Sequence, residues 1–338
     1  SAASDVYKRQ PILNGLAQGK LFSNYWNNWK PMNRFIFWKK CLLIIALNVG
    51  SFGPLAYAYE GDVHQQITFI AAKQISRCES LPDLAPGGRL TALDTRYIVK
   101  ANVAQAGSNV FVRMFRWNYY NPMGDEVKPV LGMIDTRFDN HFNALLEELA
   151  ESDERQQRLS TFGRILSYVQ DVTSPAKVVP VFTGRWWRFS FSDRFDKFPV
   201  DVPRLQQALG NYCTDLEHHY LLDKSDIATA MNTLVRRTAE ETLGHVETTI
   251  DGFPTTWASY WQPAKDEEEF GAYGPAGNNF GVRAEFTCGE AEQCLLLKDD
   301  PLYQEFAHGQ HLTAVRATIQ AMFLMQYQEQ AREDAAGE

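Results

Sequence analysis

Seven histidines are the first places to look for acid–base or metal chemistry: His64, His141, His218, His219, His245, His308 and His311. None lies in an H-E-x-x-H zinc helix, and the chain carries neither a G-x-S-x-G nucleophile turn nor a Walker-type phosphate loop. The pair of ExxH motifs that builds a di-iron bundle is missing as well. His308 and His311 stand three apart in a helical stretch and could share a metal. Two ligands make a weak site, and core or surface histidines satisfy the same spacing. His218 and His219, beside Asp215 and Glu217, read as a polar loop or helix end.

The run Gly163–Val178, GRILSYVQDVTSPAKV, is more specific. Asp171 closes a helical stretch and shares a face with Ser167, four residues earlier. Pro175 stops the helix, so the residues after it can fold back onto that face. This run resembles a motif of the zinc-dependent phospholipase C and S1/P1 nuclease superfamily. There a helix carries His-x-x-x-Asp, a short turn with Pro follows, and another His comes next. In that family the first residue of the processed chain gives its amine and carbonyl to zinc, and a His a few residues on joins it. By resemblance those roles fall on Tyr59 and His64. The resemblance runs loosely from Tyr59 to about Pro199. It implies an all-α, single multi-helix domain with long loops. It also implies one to three zinc ions and phosphodiester hydrolysis by metal-activated water.

Several family positions carry other residues here. The helix His falls on Ser167, while its Asp is kept as Asp171; the His after the Pro falls on Lys177. A later His-x-x-x-Glu falls near Ser192 and Asp196. The family's His-aromatic-Tyr-Asp-Pro segment resembles Asn118–Pro122, NYYNP, and an acid expected upstream of it falls near Ala106.

Two readings follow. In the first, Tyr59, His64, Asp171, Asp193 and Asp196 hold metal through more oxygen ligands, and Asp171 also serves catalysis. The chain is then an exported phospholipase C-like hydrolase of phospholipids, with a single-strand nuclease as the further alternative. In the second, the fold is kept and catalysis is lost, leaving a lipid- or protein-binding module. Losing imidazoles lowers zinc affinity, and Lys177 sets a cation against the metal. As plain structure, Asp171 is a helix-end or ion-paired carboxylate and His64 a helix-face histidine.

The run Phe182–Ser192, FTGRWWRFSFS, places Arg185, Trp186, Trp187 and Arg188 next to this site in sequence. Aromatic rings favour a lipid headgroup boundary and Arg favours phosphate. Stacking on bases uses the same residues, and Arg on Trp is equally at home in a packed loop. The expected partner is a phospholipid or membrane surface, with the chain a monomer.

The elements that must position these residues are helices. Val63, Ile67, Ile70 and Ala71 form one face of a helix over about 61–78, and a second covers 93–107. Phe138, Phe142, Leu145, Leu146 and Leu149 mark a third; Leu159, Phe162, Leu166 and Val169 a fourth. Ser225 caps a fifth containing Ile227, Met231 and Leu234, and a long last helix carries Leu312, Val315, Ile319, Met322 and Phe323. Val178–Phe182 is the best strand candidate, interrupted by Pro180. Long loops are expected over 108–130, 172–203 and 251–300.

Charge divides the 338-residue chain unevenly. Residues 1–58 carry seven Lys/Arg and one acid; the remaining 280 hold 26 basic and 40 acidic residues, a net of −14. That acidity disfavours tight nucleic-acid binding. Met32–Ala58 reads as a secretory signal: a basic start, the apolar run CLLIIALNV, and Ala56-Tyr57-Ala58 before the cut. The protein is therefore expected to be secreted or periplasmic. Residues 1–31 are expected to lie outside the native protein, and 59–338 to form the domain. Four cysteines remain after the cut, and the short spacing of Cys288 and Cys294 favours a local disulfide, leaving Cys78 with Cys213.

Overall fold

Apolar periodicity becomes helix wherever it was strong. The computed structural model describes residues 61–78, 89–107, 119–122, 138–181, 192–210, 212, 226–266, 269–289 and 292–337. All of them fall within the Leu55–Glu338 unit. Among these residues the chain is mostly α: α1 Gly61–Ile75, α2 Ala92–Ala106, α3 Phe138–Glu151, α4 Arg155–Asp171, α5 Pro175–Val178, α6 Val202–Ala208, α7 Ile227–Glu247 and α8 Pro301–Gly337.

The helix-rich fold agrees with the expected helical class at the coarse level, and a few short strands accompany the helices. Two antiparallel ribbons occupy the stretch expected to be a long loop: β1 Trp261–Gln262 with β2 Ala272–Tyr273, and β3 Ala284–Cys288 with β4 Glu292–Leu296. Cys288 and Cys294 are disulfide-bonded across the second ribbon, 5.7 Å apart at Cα. Cys78 is also disulfide-bonded; its expected partner, Cys213, lies outside the described residues.

Local chemistry explains the helix ends. Thr91 and Asp94 form a capping box on α2: the Thr91 hydroxyl accepts from Asp94 N at 3.1 Å, and Asp94 accepts from Thr91 N at 2.9 Å. Asp226, not Ser225, caps α7, accepting from Ala228 N and Thr229 N at 3.1 Å; Ser225 lies outside the described residues. Of the expected strand at Val178–Phe182, Phe182 lies outside the described residues and the rest forms no strand. Pro175 opens α5 with its φ already helical, and Val179 N and Val181 N donate back to Pro175 O and Ala176 O. Only Val181 is left for an isolated parallel bridge to Gly271.

Helix α4 is the centre. Twelve of its residues are buried, including Ser167, Gln170 and Asp171. It packs on α2, α3 and α8, and α8 packs in turn on α1 and α7. Gly163 permits the close α2–α4 crossing, since a Cβ there would lie 2.3 Å from Ile98 O. An ion cluster ties the same helices together: Arg158 donates twice to Glu329 of α8, at 2.6 and 2.9 Å, and Arg155 bridges Glu329 and Asp94 at 2.9 and 3.1 Å. Beyond α4, Phe195, Trp257, Tyr260, Phe280, Tyr303 and Phe306 form an aromatic core with Trp261 of the first ribbon.

Candidate functional site

The first turns of α1 and the last turn of α4 meet at His64. Nδ1 of His64 lies 2.6 Å from Gln170 Oε1, which also accepts from Asn102 Nδ2 at 3.1 Å. The Thr68 and Thr318 hydroxyls donate to backbone carbonyls, so each accepts from the Gln170 nitrogen, at 2.9 and 3.1 Å, which leaves Oε1 to accept from His64. Thr68 in turn donates to His64 O at 2.8 Å. The imidazole is thereby locked with Nδ1 toward Gln170 and Nε2 toward Asp171, whose Oδ1 is 3.5 Å away.

The turn after α4 brings in the remaining groups. Ser174 donates to Asp196 Oδ1 at 2.6 Å. Asp193 accepts from Phe195 N at 2.8 Å on one oxygen, and from Trp261 Nε1 at 3.0 Å and Tyr273 OH at 2.8 Å on the other. Lys177, on α5, places its ammonium 4.9 Å from the centre of the Tyr119 ring. His64, Asp171, Lys177, Asp193 and Asp196 are all buried, none more than 6% exposed.

Electrostatics link them. Burial pushes the Asp196 carboxyl up to about 7; Lys177 opposes that shift, while the Asp193 and Asp171 charges add to it. Burial likewise raises Asp193, against the pull of its hydrogen bonds and of Lys177. Lys177 is thus the cation that both buried carboxyls feel.

His64, Asp171, Asp193 and Asp196 are therefore brought to one buried region, with Lys177 beside them. Ser167 is buried on α4, and Ala106 is buried at the end of α2. Tyr59, Asn118, Arg185, Trp186, Trp187 and Arg188 lie outside the described residues. Sequence reading missed Gln170, Asn102, Thr68 and Thr318, which orient the imidazole. The only signals were the place of Gln170 beside Asp171 and the four-residue spacing of His64 and Thr68.

The donor set does not fit zinc. His64 is its one imidazole, and Nδ1 is taken by Gln170. Both oxygens of Asp193 are engaged by donors. Among the described residues, no three His, Cys, Asp or Glu side chains form a group able to hold a metal ion. Lys177 adds positive charge where a metal would need to sit among acids. The His308/His311 pair fares no better: His311 is a core residue against the Phe195 ring, and burial lowers its pKa to about 3.

No family model, curated protein or solved structure matches the chain.

Proposed function

We propose that this chain is an exported relative of the zinc-dependent phospholipase C and S1/P1 nuclease superfamily that has exchanged its metal for an internal cation. It acts as a non-hydrolytic module on phospholipid surfaces. The observation that carries this reading is the buried placement of Lys177, whose charge acts on Asp193 and Asp196. A fixed ammonium balances part of the acidic charge that a metal would balance, and it supplies no site for an activated water. Export rests on the Met32–Ala58 signal, and the lipid surface on the Arg185–Arg188 run.

The test uses protein purified from the exported fraction without chelator. We expect no stoichiometric zinc by elemental analysis and no hydrolysis of phosphatidylcholine with zinc added. Co-sedimentation with phosphatidylcholine vesicles should be present, and should fall in a Trp186→Ala/Trp187→Ala variant. Bound zinc with phosphatidylcholine turnover would restore the hydrolase reading, and turnover of single-stranded DNA the nuclease reading.

A further inference from the structure

Helices α7 and α8 enclose a cleft of about 460 Å³ that shares no residue with the Lys177 region. That volume lies in the range of small-molecule sites. Its apolar wall includes Leu234 and Ala317, and its charged lining is Arg237, Glu240, Glu241 and Arg316. Thr313 donates to Glu241 at 2.8 Å, so the two helices face each other there, with Glu240 beside. Roughly one helical turn away, about 5–6 Å between Cβ atoms, stands Arg237 of α7. Arg316 of α8 joins it on the cleft lining.

The guanidinium of Arg316 is held ready. Its central carbon lies 5.4 Å from the centre of the Tyr212 ring, and Tyr212 OH accepts from Gln320 at 3.1 Å. Arg316 Nε is buried with no hydrogen-bond acceptor among the described residues. Nε itself has no open surface, so an oxyanion in the cleft would meet the terminal nitrogens of the guanidinium, through a charge-assisted bond. The carboxylates, by contrast, already have neighbours: Glu241 has Thr313, and Glu240 has Arg236 at 3.8 Å. The four charged side chains sum to zero, which disfavours a bare polyanion and suits a ligand carrying both signs.

We propose that this cleft binds a small zwitterion, its phosphate on Arg237 and Arg316 and its ammonium toward Glu240 and Glu241. The source is either a free phosphoryl amine or the headgroup of an aminophospholipid. This inference stands independently of the Lys177 reading.

Isothermal titration of the whole protein with phosphoethanolamine tests it, with inorganic phosphate as comparison. Saturable phosphoethanolamine binding is expected, with inorganic phosphate weaker by about tenfold or more. Arg316→Gln should weaken phosphoethanolamine binding about tenfold or more. Arg237→Gln, at an exposed position, should act in the same direction with an unchanged melting temperature. Phosphatidylethanolamine vesicles that bind wild type and release both variants identify a lipid source; binding of the soluble probe alone identifies a free one. No saturable binding of probe or vesicles, binding that both variants leave unchanged, or phosphate binding as tight as phosphoethanolamine would each overturn the proposal.

Discussion

Lys177 is the residue on which the site turns. Removing its charge while keeping its bulk, as Lys177→Met, leaves Asp193 and Asp196 buried without the cation that opposes their burial. The expected loss is about 3–5 kcal/mol at pH 8, in the range for breaking a buried charge set. It should shrink at pH 5, where Asp196 takes up a proton. Urea titrations at the two pH values measure this; equal losses would mean that Lys177 acts through packing alone. Gln170 carries the second residue-scale prediction. It bonds His64, Asn102, Thr68 and Thr318 at once. Gln170→Ala should therefore cost about 2–4 kcal/mol, since several buried polar groups lose a partner together. An NMR view of the His64 ring should show it released. The acidic residues of this region were candidates from sequence, and the structure buries Asp171, Asp193 and Asp196 together. The amide that orients His64 was not a candidate, because a glutamine in a helix looks like any polar residue until its neighbours are known.

Helices marked by apolar spacing formed, because that spacing reports the buried face directly; α5 and α6 were not among them. Their crossing was another matter. Gly163 reads as a weakness in α4, yet it is where α2 comes closest. Gly163→Ala would force a Cβ to 2.3 Å from Ile98 O and 2.8 Å from Ala101 Cβ. Overpacking against backbone should cost about 1–3 kcal/mol, read as a lowered thermal midpoint; an unchanged or raised midpoint would show that the crossing is looser than it stands. The second ribbon was hidden for a different reason. Its strands bury alternate residues, but each is only five residues long. Alternation over so short a run is hard to tell from loop, so the disulfide was the legible part. Replacing Cys288 and Cys294 with serine should cost about 2 kcal/mol for a loop this short. Amide exchange should rise in 284–296 before it rises in α4.

At the scale of the molecule, two buried groups pull stability in opposite directions with pH. Folding raises Asp196 from 3.8 to about 7, so its favourable contribution is full below about pH 4 and lost as pH rises through 7. Folding lowers His311 from 6.5 to about 3, so its contribution is full above 6.5 and lost as pH falls toward 3. Between pH 4 and 6.5 the two partly cancel. Asp196→Asn removes one slope, and its denaturation midpoint should fall more steeply on acidification than that of wild type. Parallel curves for the two proteins would sink this account.

The sequence by itself determined the main helices and the local disulfide, and it offered Asp171, Asp193 and Asp196 as candidates. Each follows from spacing along the chain or from matching a short motif. Tertiary structure decided what those groups do to one another. Lys177 stands six residues after Asp171 and sixteen before Asp193. Spacing alone cannot say whether its ammonium turns to solvent or into the acids. Pro175 answers that by starting α5 within the buried turn, and burial then makes one charge felt by Asp193 and Asp196 at once. The α7–α8 cleft has the same origin: Arg237 and Arg316 are 79 residues apart, and only helix packing brings both to its lining.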